Sequence, residues 1–199
     1  MNSDGKTDIV LAGVGGQGIL TIAAVLGRAA IEEGLYVKQA EVHGMAQRGG
    51  AVQSHFRISS VPIHSDVIPK GSAELILSLE PMEVLRYLPW LKEDGWIVVN
   101  ESPVENIPDY PELGLLHSSL DELPRLFRLD GARLAKDNGA ARALNMVMLG
   151  AGAMFTGLPL ESLEKAIASH FATKGDKVVD TNLKIFNSAL ELARAERGG

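Results

Sequence analysis

The sequence predicts an α/β chain: a doubly wound, mostly parallel Rossmann-like sheet with an antiparallel hairpin insertion and a helical C-terminal part. Three observations predict it. Apolar runs of strand length recur at residues 9–12, 73–79 and 96–100, and the first two lead straight into helix-like patterns. The first run passes into its helix through a glycine turn, Gly13-Val14-Gly15-Gly16-Gln17-Gly18. A segment that alternates in polarity, residues 51–59, interrupts the series. With 199 residues and 46% hydrophobic content the chain is long enough to bury a core, and it reads as one domain over residues 1–199.

Each element has its own reason. Residues 9–12 are apolar on both faces, as in a buried parallel strand. Ile19, Leu20, Ala23, Ala24 and Leu26 recur at helical spacing, and Gly34 ends that helix. Residues 36–42 form a second strand, and a polar loop spans 43–50. Over residues 51–59, Val52, Ser54, Phe56 and Ile58 face one way and Gln53, His55 and Arg57 the other, the pattern of a half-buried strand. A turn at 59–62 then predicts a short returning strand over 63–68. Residues 73–79 resume the parallel pattern, Pro81 opens the next helix, Gly95 caps it, and 96–100 form another buried strand. The prolines at 103, 108 and 111 mark a surface excursion. A short helix over 120–129 and a strand over 132–135 follow, and then helices over 139–155, 159–171 and 180–195.

Composition excludes several classes. The formal net charge is −6, so nothing calls for nucleic acid or an anionic membrane. There is no cysteine, hence no disulfide and no thiolate-held zinc or iron–sulfur cluster on this chain. The N-terminal residues 1–6 lack a signal-peptide core, and the longest apolar run, 146–158, is interrupted by glycines and too short to span a bilayer. A cytoplasmic location is expected. No metal site is expected either: His55 and His64 could approach each other across the hairpin, but Arg57 beside them discourages a cation.

The candidate site lies where ligands of such sheets sit, beyond the carboxyl ends of the strands. The glycine turn, the loop after residue 43, Glu80-Pro81 and Asn100-Glu101 all fall there. A strand–glycine turn–helix unit offers backbone N–H groups and the positive end of a helix dipole to an anion, and it equally serves close helix packing. The second motif is His43-Gly44-Met45-Ala46-Gln47-Arg48-Gly49-Gly50, in which an arginine between glycines suits a phosphate or carboxylate. The candidate anion or partner contacts are therefore Gly13, Gly15, Gly16, Gln17, Gly18, His43, Gln47, Arg48, Gly49 and Gly50. No catalytic dyad is visible. Glu41, 23 positions after Gly18, stands where a dinucleotide fold would place a ribose-binding acid, or is simply a strand-end glutamate. Asn145, inside an apolar helix, must find hydrogen bonds, either to a neighbouring loop or to a ligand.

Taken together, GVGGQG at 13–18, EVHGMAQRGG at 41–50, AELILSLEP at 73–81 and LNMVMLG at 144–150 carry a resemblance. Over residues 8–186 the chain resembles the gamma-type subunit or domain of the 2-oxoacid:ferredoxin oxidoreductases, on the indolepyruvate (aryl 2-oxoacid) branch. The resemblance implies a non-cluster subunit of a heteromeric complex. A large partner subunit would carry thiamine diphosphate with Mg and the iron–sulfur clusters. Coenzyme A (CoA) would be co-substrate and ferredoxin the electron acceptor, and this chain alone would bind no cofactor. It also implies that Gly15 to Gly18 and Gln47 to Gly50 lie toward the CoA side of the active site. A homodimer of the isolated chain, through the surface meant for the partner, is a further expectation. Two other classes compete: a stand-alone NAD or FAD dehydrogenase using the glycine turn and Glu41, and a scaffold whose loops touch only protein. The bulky Gln17 in the turn argues against the dehydrogenase.

Overall fold

The computed structural model describes residues 5–44, 50–105 and 109–198. Six strands form one sheet in the order β2-β3-β1-β4-β5-β6. They are β1 Lys6–Val14, β2 Tyr36–His43, β3 Ala51–Ser59, β4 Ala73–Ser78, β5 Leu91–Asn100 and β6 Leu126–Leu129. The steps β1–β4, β4–β5 and β5–β6 are parallel, while β3 runs antiparallel to both β1 and β2. The seven helices among the described residues are α1 Ile19–Glu32, α2 Pro81–Tyr87, α3 Leu113–Asp121, α4 Gly131–Asp137, α5 Leu144–Gly152, α6 Leu160–Phe171 and α7 Asp176–Gly198.

Alternation along the central strands divides the core in two. On β1, Ile9 and Leu11 enter the larger core with α1, α5, α6 and α7, while Val10 and Ala12 enter a smaller one with Val84 of α2 and Leu120 of α3. Helices thus cover both faces, as expected. Helix α1 ends at Gly34 as expected too: the N–H of Gly34 donates to the Ile31 carbonyl and that of Leu35 to the Ala30 carbonyl, both at 3.0 Å.

Several expected elements change. The predicted strand over 63–68 is absent: those residues form an irregular strap, and the antiparallel hairpin joins β2 to β3 instead. Strand β3 is an interior strand, so its polar face is buried as well. Asp8, His55 and Arg57 lie under the strap, with Arg57 Nε and Nη2 donating to the Asp8 carboxylate at 2.8 and 3.2 Å. Arg57 Nη1 also donates to the carbonyls of Ser65 and Val67. Side-chain hydrogen bonds of Asp8, His55 and Arg57 therefore replace the solvent that the alternation implied, while Gln53 Oε1 on the same face is buried without a partner among the described residues.

Gly95 does not cap a helix. It lies inside β5, where a Cβ would fall 2.9 Å from the Ala73 carbonyl oxygen, next to a register shift between β4 and β5. Over 113–137 helix and strand are exchanged relative to expectation. Leu126–Leu129 is an edge strand, and Asp130 caps α4, its carboxylate accepting from the Arg133 N–H at 2.9 Å. Of the surface excursion, residues 106–108 lie outside the described residues.

Candidate functional site

The order of the sheet places its topological switch point between β1 and β4, where the chain has run out to one side and begins to fill the other. The glycine turn follows β1, and Leu79 and Glu80 follow β4. Gln17 closes the crevice between them. Its Oε1 accepts the Val14 N–H at 2.8 Å and its Nε2 donates to the Leu79 carbonyl at 2.9 Å. Asn100, at the end of β5, donates to the same carbonyl at 3.2 Å and accepts the Gly131 N–H at 3.0 Å. One carbonyl thus fastens the carboxyl ends of β1, β4 and β5 together. Glu80 is fully buried and caps α2 through the Glu83 N–H, while the Tyr110 hydroxyl donates to its other oxygen. Burial, and then that bond to Glu80, hold the Tyr110 phenol far above its ordinary pKa.

With the crevice filled, the opening lies on the other side of the turn. A pocket of about 310 Å³ is lined by Gly15, Gly16, Gly18, Leu20, His43 and Val52, among others. Its glycines have separate causes. Gly16 and Gly18 adopt φ of +100° and +88°, where a side chain is strained, and a Cβ on Gly18 would also lie 2.7 Å from Asn145 Nδ2. A Cβ on Gly13 would lie 2.6 Å from Gln17 Oε1, so Gly13 makes room for the bracing side chain.

The turn amides are not all open. The Gly15 N–H donates to the Gly50 carbonyl at 2.9 Å and the Gln17 N–H to the Val14 carbonyl at 3.2 Å. The N–H groups of Gly16 and Gly18 find no acceptor among the described residues. They stand at the N-terminal end of α1, where the helix dipole is positive.

The two motifs singled out in the sequence meet here. The Gly15–Gly50 bond joins the glycine turn to the base of the loop after β2, which Gly44 closes by donating to the Ala51 carbonyl at 2.8 Å. His43 pairs with Glu41, and Glu41 also accepts from Gln39 at 3.2 Å. Of the other loop residues, Met45, Ala46, Gln47, Arg48 and Gly49 lie outside the described residues. Asn145 walls the back of Gly18, and its Oδ1 accepts the Met146 N–H at 3.0 Å. The bracing by Gln17 and the knot at Leu79 were not part of the sequence reading. The signal that could have found them is a long amide in a turn otherwise made of glycine and valine.

The dinucleotide reading fails on topology. Strand β3 lies between β1 and β2, so Glu41 stands two strand spacings, about 10 Å, from Leu11 of β1, and not on the strand next to the glycine turn. Among the described residues no three His, Cys, Asp or Glu side chains are grouped to hold a metal ion, and no helix is long and apolar enough to cross a membrane.

Comparison with known proteins converges on one family. The family model for pyruvate ferredoxin/flavodoxin oxidoreductase matches residues 8–192. The indolepyruvate oxidoreductase subunit IorB of Methanothermobacter thermautotrophicus is 38% identical over 94% of this chain and 97% of its own length. Among solved structures, the gamma subunit of a keto/oxoacid ferredoxin oxidoreductase from Geobacter sulfurreducens superposes with a TM-score of 0.68 at 27% identity, covering 95% of this chain and 99% of its own. The 2-oxoglutarate:ferredoxin oxidoreductase from Magnetococcus marinus, solved with 2-oxoglutarate, coenzyme A and succinyl-CoA bound, gives 0.76 at 22% identity, a likeness of fold. This chain spans only 31% of that longer one, so it corresponds to one part of it. With the family model matched over residues 8–192 and a relative 38% identical over nearly its whole length, this chain is a member of the pyruvate ferredoxin/flavodoxin oxidoreductase family.

Proposed function

We propose that this chain is the non-cluster small subunit of an indolepyruvate (aryl 2-oxoacid):ferredoxin oxidoreductase. The observation that carries the reading is the identity of 38% to the IorB subunit over nearly the whole of both chains. A large partner subunit would hold thiamine diphosphate, Mg and the iron–sulfur clusters, with CoA as co-substrate and ferredoxin as acceptor. Clusters held by thiolates do not fit this chain, which contains no cysteine.

What the chain's own residues would do follows from the site. The open N–H groups of Gly16 and Gly18 and the α1 dipole would hold an anionic group on the CoA side of the partner's active site, and Arg48 would add a guanidinium from the neighbouring loop. Leu20, 54% accessible, stands at this pocket, and Val42, 55% accessible, lies on the opposite face of β2 from the pocket-lining His43; both are exposed apolar side chains that suit contact with protein. In this reading the complex works in the cytoplasm, and the isolated chain could pair with itself through the same surface.

The test uses aryl pyruvates, CoA and a viologen acceptor. The isolated chain should show no turnover, and turnover should appear when the large subunit is added. In the reconstituted complex Arg48→Ala should lower turnover at least about tenfold while moving stability by no more than about 0.5 kcal/mol. Turnover by the chain alone, or an Arg48→Ala complex of full activity, would contradict the respective part of the reading.

A further inference from the structure

A second cleft, more than twice the volume of the one at the glycine turn, lies elsewhere on the molecule. A cavity of about 650 Å³ opens where α1, α5 and α7 begin, and it shares no lining residue with the glycine-turn pocket. Thr21 comes from the first turn of α1, Arg142 from just before α5 and Asn145 from its first turn, Lys174 from the 3-10 turn Ala172–Lys174 that follows α6, and Lys177 from the first turn of α7. Three helix starts therefore stand around it, with the Thr21 and Val178 N–H groups bonded to the Gly18 and Gly175 carbonyls, so that side chains rather than backbone amides face the space.

The charge of the cleft runs against that of the chain. The protein has 25 acidic and 19 basic side chains, yet Arg142, Lys174 and Lys177 line the cleft and no carboxylate does. Asp176 and Asp180 lie on α7 among the lining positions but fall on other faces of the helix. None of the three cations takes part in a described salt bridge; Lys174 sits over the Phe171 ring, 5.2 Å from its centroid. The interior is different in character. Phe171, Ala140, Ala143 and Val178 give it an apolar side, and the hydroxyls and amides of Thr21, Asn145 and Thr181 sit among them.

We propose that this cleft binds a phosphorylated small molecule with a flat apolar body, of the size and chemistry of a nucleotide. Arg142, Lys174 and Lys177 would take the phosphates. The apolar side would take the flat portion. The volume lies within the range of about 300–1,000 Å³ usual for small-molecule sites. Asn145 forms one wall, and a Cβ on Gly18 would meet it at 2.7 Å, so an occupant would press on the residue that backs the glycine turn.

The probe is ADP, titrated into the full-length chain by calorimetry, with adenosine as the phosphate-free control. ADP should bind saturably at one site and adenosine at least about tenfold more weakly. The double variant Arg142→Glu/Lys177→Glu should weaken ADP at least about tenfold. Both residues are exposed, so the variant should keep the parent melting curve. Lys92→Glu, on the far strand β5, should bind ADP as the parent does. Absence of saturable ADP binding up to about 1 mM, equal binding by the double variant, or equal weakening by Lys92→Glu would each overturn the assignment. This titration needs only the one chain. It does not rest on the subunit reading, which is tested with the partner present.

Discussion

Gln17 is a turn residue whose side chain decides where a ligand fits. Both ends of its amide are bonded, to the Val14 N–H and to the Leu79 carbonyl, and the side chain occupies the space between β1 and β4. This role makes a prediction at the scale of one residue. Gln17→Leu keeps the volume but leaves the Val14 N–H without its acceptor and the Leu79 carbonyl with one donor fewer. The cost should be about 1–3 kcal/mol. For a chain of this length that lowers Tm by several degrees, at about 2–4 °C per kcal/mol. Thermal melts of the isolated chain measure it. A Gln17→Leu protein that melts like the parent and loses only complex activity would show instead that this amide serves a ligand.

At the scale of elements, the inserted strand β3 and its strap carry a buried polar network. The Ile68 N–H donates to His55 Nδ1 at 3.2 Å, so the imidazole is neutral at that nitrogen. Burial, and then the Arg57 guanidinium, hold its pKa below the ordinary 6.5, against a smaller opposing effect of Asp8. The unfolded chain therefore takes up a proton near pH 6.5 that the folded chain refuses. The stability that His55 contributes is complete above that pH and is lost as the pH falls from there toward the folded value. His55→Gln, whose Oε1 can still accept the Ile68 N–H, should flatten the fall in Tm between about pH 7.5 and 5.5. An unchanged slope would move the effect to another group, of which His170, shifted the same way by its own burial, is the first to test.

Helix packing gives a second prediction at this scale. A Cβ on Gly150 would lie 2.2 Å from the Phe186 carbonyl oxygen of α7, backbone that cannot step aside, whereas on Gly152 it would meet the end of the Leu77 side chain at 3.1 Å. Gly150→Ala should therefore cost stability well beyond Gly152→Ala, by about 1–3 kcal/mol for the forced overpacking. Denaturant melts of the two variants decide it, and equal midpoints would mean that α5 and α7 slide apart freely.

The same elements show what was legible in advance. The glycine turn, β1, β4 and the C-terminal helices were readable because apolar periodicity and glycine position express burial directly. The strap was not, because the polar face of β3 looks solvated in sequence and becomes buried only when Asp8, 49 positions away, supplies the counter-charge. The exchange of helix and strand over 113–137 had a readable clue in Asp130 as a cap, but Leu126–Leu129 is too short for periodicity to identify. Of the candidate site, the meeting of the two glycine motifs was foreseeable from strand ends. The closing of the switch point by Gln17 depended on a carbonyl 62 positions away.

At the scale of the whole molecule, the sheet ends in the four-residue strand β6 on one side and in the eight-residue strand β2 on the other. Strand β2 lies at that edge, with Tyr36 and Val42 about half exposed, and Leu20 stands at the glycine-turn pocket nearby. An unpaired edge beside exposed apolar side chains is a feature that soluble chains usually cover. In the proposed complex the large subunit covers it. An obligate interface of this kind buries on the order of 2,000 Å² or more around an apolar centre. Co-expression with the large subunit, followed by size-exclusion chromatography and mass photometry, should give one heteromeric species at micromolar concentration. Leu20→Glu/Val42→Glu should release the chain from that species while leaving its melting temperature within about 2 °C of the parent, since both side chains are already in water. A homodimer of the isolated chain that the same double variant dissolves would agree, because a surface built for one partner can pair with itself. If the double variant co-elutes as fully as the parent, the contact lies elsewhere on the chain. If the parent chains elute apart and the large subunit is fully active alone, this protein is not a subunit of that enzyme.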